Sequence, residues 1–233
     1  MPGSSCSRKA VSGAMNGNAT LAAVFDGEFE THVTISCDDD QDVAQLQAWA
    51  GSRDVKVTHV VLARGRVPSQ PMLTLSGSGT LAAQRTAAAR LGSELTGVGF
   101  RVSRVKIEAA PWTDGVPRSD AEAKALGPGY YFEHHVKLLC SADTEELTRL
   151  AALVVPHHAH LSWNARRVRT DGLAERFVTQ RCFGVGDTSA VAALDELREA
   201  LVSDGREIVS AEREFVVYDS DASLDDGWIE GEK

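Results

Sequence analysis

Two Glu-x-His pairs, Glu30-Thr31-His32 and Glu133-His134-His135, stand at an offset of 103 residues in a chain of 233. Residues two apart on a β-strand share a face, so each pair presents a carboxylate and an imidazole side by side. Imidazole titrates near neutral pH, and a neighbouring carboxylate orients its tautomer and raises its basicity. The chemistry this suits is acid–base work on a small molecule: proton transfer, hydrolysis or elimination. His32, Glu133, His135, Lys137 and His160 are the candidate catalytic groups. Glu30, Thr34, His59 and Arg104 are candidate substrate-binding groups, and so are Ser162, Asn164 and Arg181. His158 shares the alternation of His160, and Arg104, Lys106 and Glu108 are mirrored at an offset of 106 by Ser210, Glu212 and Glu214. A divalent metal would find a mixed nitrogen–oxygen shell in His32, His135, His160 and Glu133. The HxxxH and HExxH spacings that would point directly to a metal are absent.

The elements that must position these groups occur twice in the same order. Residues 29–36 alternate as a strand, with Phe29, Val33 and Ile35 on one face and Glu30, His32 and Thr34 on the other. Asp38, Asp39 and Asp40 open a helix carrying Val43, Leu46 and Ala50 on one stripe. Strands follow at 56–63 and 71–76. Gly77-Ser78-Gly79-Thr80 reads as a tight turn into a helix of 80–96, stopped by Gly97 and Gly99, and 100–108 is the last strand. The second half repeats this with strand 132–139, helix 144–154, strands 158–164 and 176–183, helix 188–204 and strand 207–218. Phe132, Val136 and Leu138 fall on the face opposite Glu133, His135 and Lys137. Asp143 with Glu146 reads as a capping pair, and Gly205 as a helix stop.

A repeat of about 100 residues is far too long for a solenoid and reads as a duplicated domain-sized unit. The order βαββαβ is the ferredoxin-like split arrangement, in which right-handed crossovers place both helices on one side of a four-stranded sheet. Two such units cover their open faces most economically against each other. The expected fold is therefore α+β: tandem ferredoxin-like units forming an intramolecular pseudo-dimer, sheets facing a central cavity. The divisions are a disordered leader at 1–24, unit one at 25–118, a linker at 119–131 and unit two at 132–230. The Pro- and Gly-containing stretch 110–129 connects the units, and Trp228 anchors an otherwise acidic tail.

Composition narrows the function classes. A formal charge of −9 argues against a nucleic-acid partner, because phosphate binding draws on clustered Lys and Arg. No apolar run approaches a membrane span, and the N-terminal residues lack the apolar core of a signal peptide. Four cysteines (Cys6, Cys37, Cys140, Cys182) without CxxC pairing suit a reduced, cytoplasmic protein. The expected partner is a small-molecule ligand, and the chain is expected to act as a monomeric pseudo-dimer or as a homodimer.

Three sets of residues resemble known families. His32-Val33-Thr34-Ile35 and His160-Leu161-Ser162-Trp163 resemble the H-x-[ST]-hydrophobic motifs of the two-histidine phosphoesterases, and the resemblance implies a two-lobed hydrolase with His32 and His160 paired. The internal offset instead maps His32 onto His135, which is followed by Val136-Lys137. Glu133 with Lys137 resembles the first strand of the triphosphate-tunnel enzymes, without their Glu-x-Glu-x-Lys alternation. The runs Gln70–Leu81, Arg104–Trp112, Tyr131–Leu139 and Glu175–Arg181 together resemble an uncharacterised actinobacterial family whose members often carry the label "ankyrin". The chain has neither the 33-residue period nor the Thr-Pro-Leu-His signature of ankyrin repeats.

The expected function is a small-molecule enzyme using the Glu/His set between the units, with or without a divalent metal. The alternatives are a non-catalytic ligand-binding or assembly module and a two-histidine phosphoesterase-like hydrolase. The second unit carries the denser polar set, so its wall is expected to hold the chemical groups, with His32 reaching across from the first.

Overall fold

Alternation of apolar and polar residues along eight strands decides the architecture. In the computed structural model, which describes residues 24–141, 143–165 and 173–229, the chain is a mixed α+β fold built on one antiparallel sheet. The first half runs β1 (Asp26–Ser36), α1 (Asp40–Gly51), β2 (Lys56–Leu62), β3 (Ser69–Thr80), α2 (Leu81–Gly97) and β4 (Arg101–Ala109). A short helix α3 (Asp120–Leu126) follows. The second half runs β5 (Tyr131–Ser141), α4 (Thr144–Val154), β6 (Ala159–Asn164), β7 (Leu173–Phe183), α5 (Asp187–Ser203) and β8 (Glu207–Asp219). The strands close into a barrel in the order β1-β3-β2-β6-β7-β5-β8-β4. The halves join at two seams, a short β2–β6 pairing through Val60–Leu62 and a bulged β4–β8 pairing. Among the described residues no helix is long and apolar enough to cross a membrane.

Helix faces and outward strand faces make the apolar core outside the barrel. Val33, Ile35 and Leu73 meet Leu46 and Ala50 of α1 and Leu91 and Leu95 of α2. In the second half Val136, Leu138 and Val178 meet Leu150 and Val154 of α4 and Leu194, Leu197 and Leu201 of α5. Each such fully buried aliphatic side chain contributes about 1.5–3 kcal/mol of burial. A slip of one residue in β1 or β5 would turn this set inward and the Glu/His set outward, so the packing fixes the register of the polar interior. The expected burial of Val43, Leu46 and Ala50 on one stripe of α1 is present.

Four local readings need correction. Gly77–Thr80 is not a turn: β3 continues through it, pairing Gly77 with Phe29 and Gly79 with Gly27 of β1. Thr80 then caps α2 by accepting from the amide of Ala83. A Cβ at Gly77 would lie 2.4 Å from Oε1 of Gln84, whose side chain would have to move aside. The connector contains α3, started by a reciprocal capping box between Ser119 and Glu122. Asp143 does cap α4, but Glu146 instead accepts from Arg206 at 2.7 Å. His158 is not on β6: it sits at φ 54° as the end of a 3-10 turn, one residue before the strand begins. The leader expected at 1–24 lies, apart from Val24, outside the described residues.

The acidic C-terminal segment is anchored by Trp228, which is buried and donates from Nε1 to the Leu161 carbonyl at 3.0 Å. Arg64 donates to the Trp228 carbonyl, and Arg66 holds Ser223 through both its carbonyl and its hydroxyl.

Candidate active site

The inward faces of the strands enclose a cavity of about 480 Å³. Its character changes from one end to the other. At the floor, Asp225 of the C-terminal segment accepts from Arg104 of β4 at 2.9 Å, Arg181 of β7 at 2.7 Å and Gln70 of β3 at 2.9 Å. Arg104 also holds Asp219, and Leu62, Ser162 and Trp228 close the remaining space. All of these floor side chains are buried except Asp219, which is nearly so. At the mouth, Glu30 is one-third exposed, Lys56 and Glu212 are exposed, and Lys137 lies over the Phe177 ring. The mouth is thus lined by lysines and carboxylates, and the floor is sealed by the segment that carries Asp225 and Trp228.

Between mouth and floor the two halves place matching residues. His32 of β1 has Nδ1 3.1 Å from the Thr74 hydroxyl of β3, and its Nε2 faces Glu108 of β4 at 2.8 Å and Glu30 at 3.5 Å. His135 of β5 has Nδ1 3.1 Å from the Thr179 hydroxyl of β7, and its Nε2 faces Glu133 at 3.2 Å and Glu214 of β8 at 3.4 Å. The strand registers create this match: His32 lies opposite Thr74, and His135 opposite Thr179. A hydroxyl on Nδ1 fixes each ring's orientation and points Nε2 at carboxylates.

Lys106 of β4 links the two sets, reaching Glu108 at 2.7 Å and Glu133 at 2.6 Å. Glu133 also accepts from Arg181 at 2.5 Å. Burial would raise the Glu133 carboxyl, but the charges of Arg181 and Lys106, with the His135 hydrogen bond, hold it well below its ordinary range. Burial likewise works against ionised Glu108, and Lys106 and His32 bring it down to about 2. Burial disfavours protonation of His135, yet its hydrogen bonds to Glu133 and Glu214 and their charges raise it to about 10. Glu214 is pushed up by burial and by the nearby Glu108 charge. One carboxylate of the interior thus sits apart from the others in proton affinity, which is how a site acquires distinct acid and base groups.

The sequence-predicted groups divide by this geometry. Glu30, His32, Thr34, Arg104, Glu133, His135, Lys137, Ser162, Asn164 and Arg181 all line the cavity. His59 does not: its neighbours Thr58 and Val60 face inward, and its own ring turns to Ser69 at 2.8 Å. His160 is buried beside Trp228, its Nδ1 3.5 Å from Arg64, and does not line the cavity. His32 and His160 are therefore not brought together as the phosphoesterase motifs would require. The expected metal shell of His32, His135, His160 and Glu133 is not assembled either, because His160 lies apart and Glu133 is taken by three cations. Missed as site residues were Thr74, Thr179 and Asp225. The two threonines occupy matching strand positions, a signal available only once the strand pairing is known. Asp225 lies in an acidic tail with no periodicity to single it out.

Gly186, just before α5, packs tightly against the connector. Its amide donates to the Asp120 carboxylate at 2.9 Å, and a Cβ there would lie 2.4 Å from the Ser119 backbone.

No protein-family model matches the chain, and no curated protein matches it. Among solved structures, the regulatory subunit of aspartate kinase from Thermus thermophilus, ligand-free, is 14% identical over 76% of this chain and 95% of that one, with a TM-score of 0.31. Chlorite dismutase from Candidatus Nitrospira defluvii, in complex with imidazole, is 16% identical over 86% of this chain and 94% of that one, with a TM-score of 0.27. Likenesses this distant carry no weight for activity or ligand.

Proposed function

We propose that this protein is a small-molecule enzyme in which the Glu/His sets of the barrel interior transfer protons on a bound substrate. The reading rests on the mirrored arrangement of His32 and His135, each oriented by a threonine and each facing carboxylates in one cavity. Burying so many ionisable groups costs stability unless they are paired or used, and a cavity of about 480 Å³ suits a metabolite-sized ligand. In this reading one histidine takes a proton from the substrate while the other returns one. Glu133 and Thr179 position His135, and Lys137 and Glu30 select the ligand at the mouth. The two βαββαβ halves, 25–118 and 132–230 joined by 119–131, are read as copies of one ferredoxin-like unit. Duplication would explain why a single chain supplies both walls of the site.

The competing reading is a non-catalytic ligand-binding module. It draws on the floor, where Asp225 and Glu133 are already saturated by internal cations. Fragment screening by NMR, observing the histidine ring resonances, tests the proposal. Polar fragments should shift His32 and His135 but not His59. Fragments that bind only outside the barrel would refute it. Turnover of a bound compound, lost in both His32→Ala and His135→Ala, separates enzyme from binding module.

A further inference from the structure

We infer that the cavity holds a divalent transition cation, Mn²⁺ or Zn²⁺, between Glu108 of β4, His135 of β5 and Glu214 of β8, an inference that rests on the cavity being a ligand site. Among the described residues these three each bring one ligand atom to within 4.8 Å of the other two. Ligand atoms around such an ion stand roughly 3–4 Å apart, given bonds of about 2.0–2.2 Å, so small side-chain rotations close the set.

A second observation points to a ligand. The Glu108 side chain is wholly buried, and neither of its carboxylate oxygens has a hydrogen-bond partner. Lys106 and His32 approach them at 2.7 and 2.8 Å without meeting hydrogen-bond geometry. A buried carboxylate has acceptor capacity that ordinarily is filled; each Glu108 oxygen faces a single cation, Lys106 or His32, and keeps a second lone pair for an ion beside Glu214. Four carboxylates, Glu30, Glu108, Glu133 and Glu214, gather in one space with Lys106, Arg181 and the two histidines. Imidazole nitrogen with carboxylate oxygens suits Mn²⁺ or Zn²⁺. The ion would replace the proton that His135 Nε2 shares with its carboxylates. Thr179 stays on Nδ1 and fixes the ring, as outer partners of metal-bound histidines do. His32, against Glu108, stands at the edge of the set as a further nitrogen donor.

The test is isothermal titration of MnCl₂ and ZnCl₂ into the full chain stripped with a chelator, with folding monitored by circular dichroism. One ion per chain is expected. Glu214→Gln and Glu108→Gln should each weaken binding by roughly a hundredfold or more, at or beyond the upper end of the loss typical of outer-shell changes. Lys106→Met should tighten it roughly tenfold, because the ammonium competes for the same carboxylate, and exposed Glu196→Gln should change nothing. Failure of the folded wild type to bind either ion overturns the inference, as does unchanged affinity in Glu214→Gln or weaker binding in Lys106→Met. If Glu108→Gln does not fold, the other two variants decide. A chain that binds no ion, yet whose His32 and His135 resonances respond to polar fragments, loses this inference and keeps the cavity reading. A chain that responds to neither loses both.

Discussion

Asp225, near the C-terminal end, accepts a hydrogen bond from Arg181 of β7 through Oδ2 at 2.7 Å, and so ties the tail to the floor of the barrel. The same oxygen accepts from Arg104, and Oδ1 accepts from Gln70, so one side chain joins three strands drawn from both halves. Asp225→Ala leaves two buried guanidinium groups short of a partner. Breaking a buried pair from one side costs about 3 kcal/mol, and urea unfolding should show a loss of that order. A loss below about 0.5 kcal/mol would mean that the tail is an ornament on a self-sufficient barrel.

Acid should act at the same place. Burial raises the Asp225 carboxyl, but Arg181, Arg104 and the Gln70 hydrogen bond outweigh it, and the folded state holds the proton affinity below the ordinary value of 3.8. A depressed folded value gives stability that is fully present above the unfolded value and lost as pH falls through the folded one. Thermal melts should therefore hold near pH 5–7 as far as this group is concerned and decline below about pH 4. Asp225→Asn should flatten that part of the decline.

Function and stability should separate along β5. Leu138 is fully buried under α4 and α5, and Leu138→Ala should cost about 2–5 kcal/mol. His135 lines the cavity and contributes ion pairs to Glu133 and Glu214 rather than packing, so His135→Ala should leave the chain folded while abolishing ligand binding or turnover. If His135→Ala unfolds the chain and the folded fraction still binds normally, His135 is structural and the site assignment fails.

The two glycines before α5 should respond differently to alanine. At Gly186 a Cβ would lie 2.4–2.6 Å from the backbone of Arg118 and Ser119, which cannot give way without moving the connector. Overpacking of this kind costs roughly 2–3 kcal/mol. Gly184 has φ +64° but open space, so Gly184→Ala should cost only about 1 kcal/mol of backbone strain. Equal losses by denaturant unfolding would contradict the close packing of the connector against α5.

Thiol reactivity offers an independent check on burial. Burial pushes the Cys182 thiol up to about 11, and burial together with Asp42, Asp38 and Asp39 does the same for Cys37. At pH 8 both should react with a disulfide reagent far more slowly than a free thiol, and faster as pH rises or urea is added. Rapid modification of Cys37 in the native protein would show that β1 and α1 are looser than the packing implies.

Periodicity alone determined the eight strands and four long helices, the split βαββαβ order, and the faces of β1 and β5. Val33, Ile35, Val136 and Leu138 could be assigned to the helix side, and His32 and His135 to the cavity, because strand side chains alternate and burial penalises a slip. The match of Glu108 to Glu214 was also legible, since it lies in the offset of the last strands. What local pattern could not reveal is which strands become neighbours across the two seams. Nor could it reveal the registers within each half, which set His32 against Thr74 and His135 against Thr179, or the tail contact that places Trp228 beside His160. The run Gly77–Thr80 looked like a turn because glycine is freed from side-chain constraint, yet pairing with β1 supplies backbone hydrogen bonds that a lone segment lacks. Asp225 entered the site through contacts with residues 121 and 155 positions away, a separation at which sequence neighbours carry no information. Local preference set the elements, and closure of the barrel decided which polar groups share its interior.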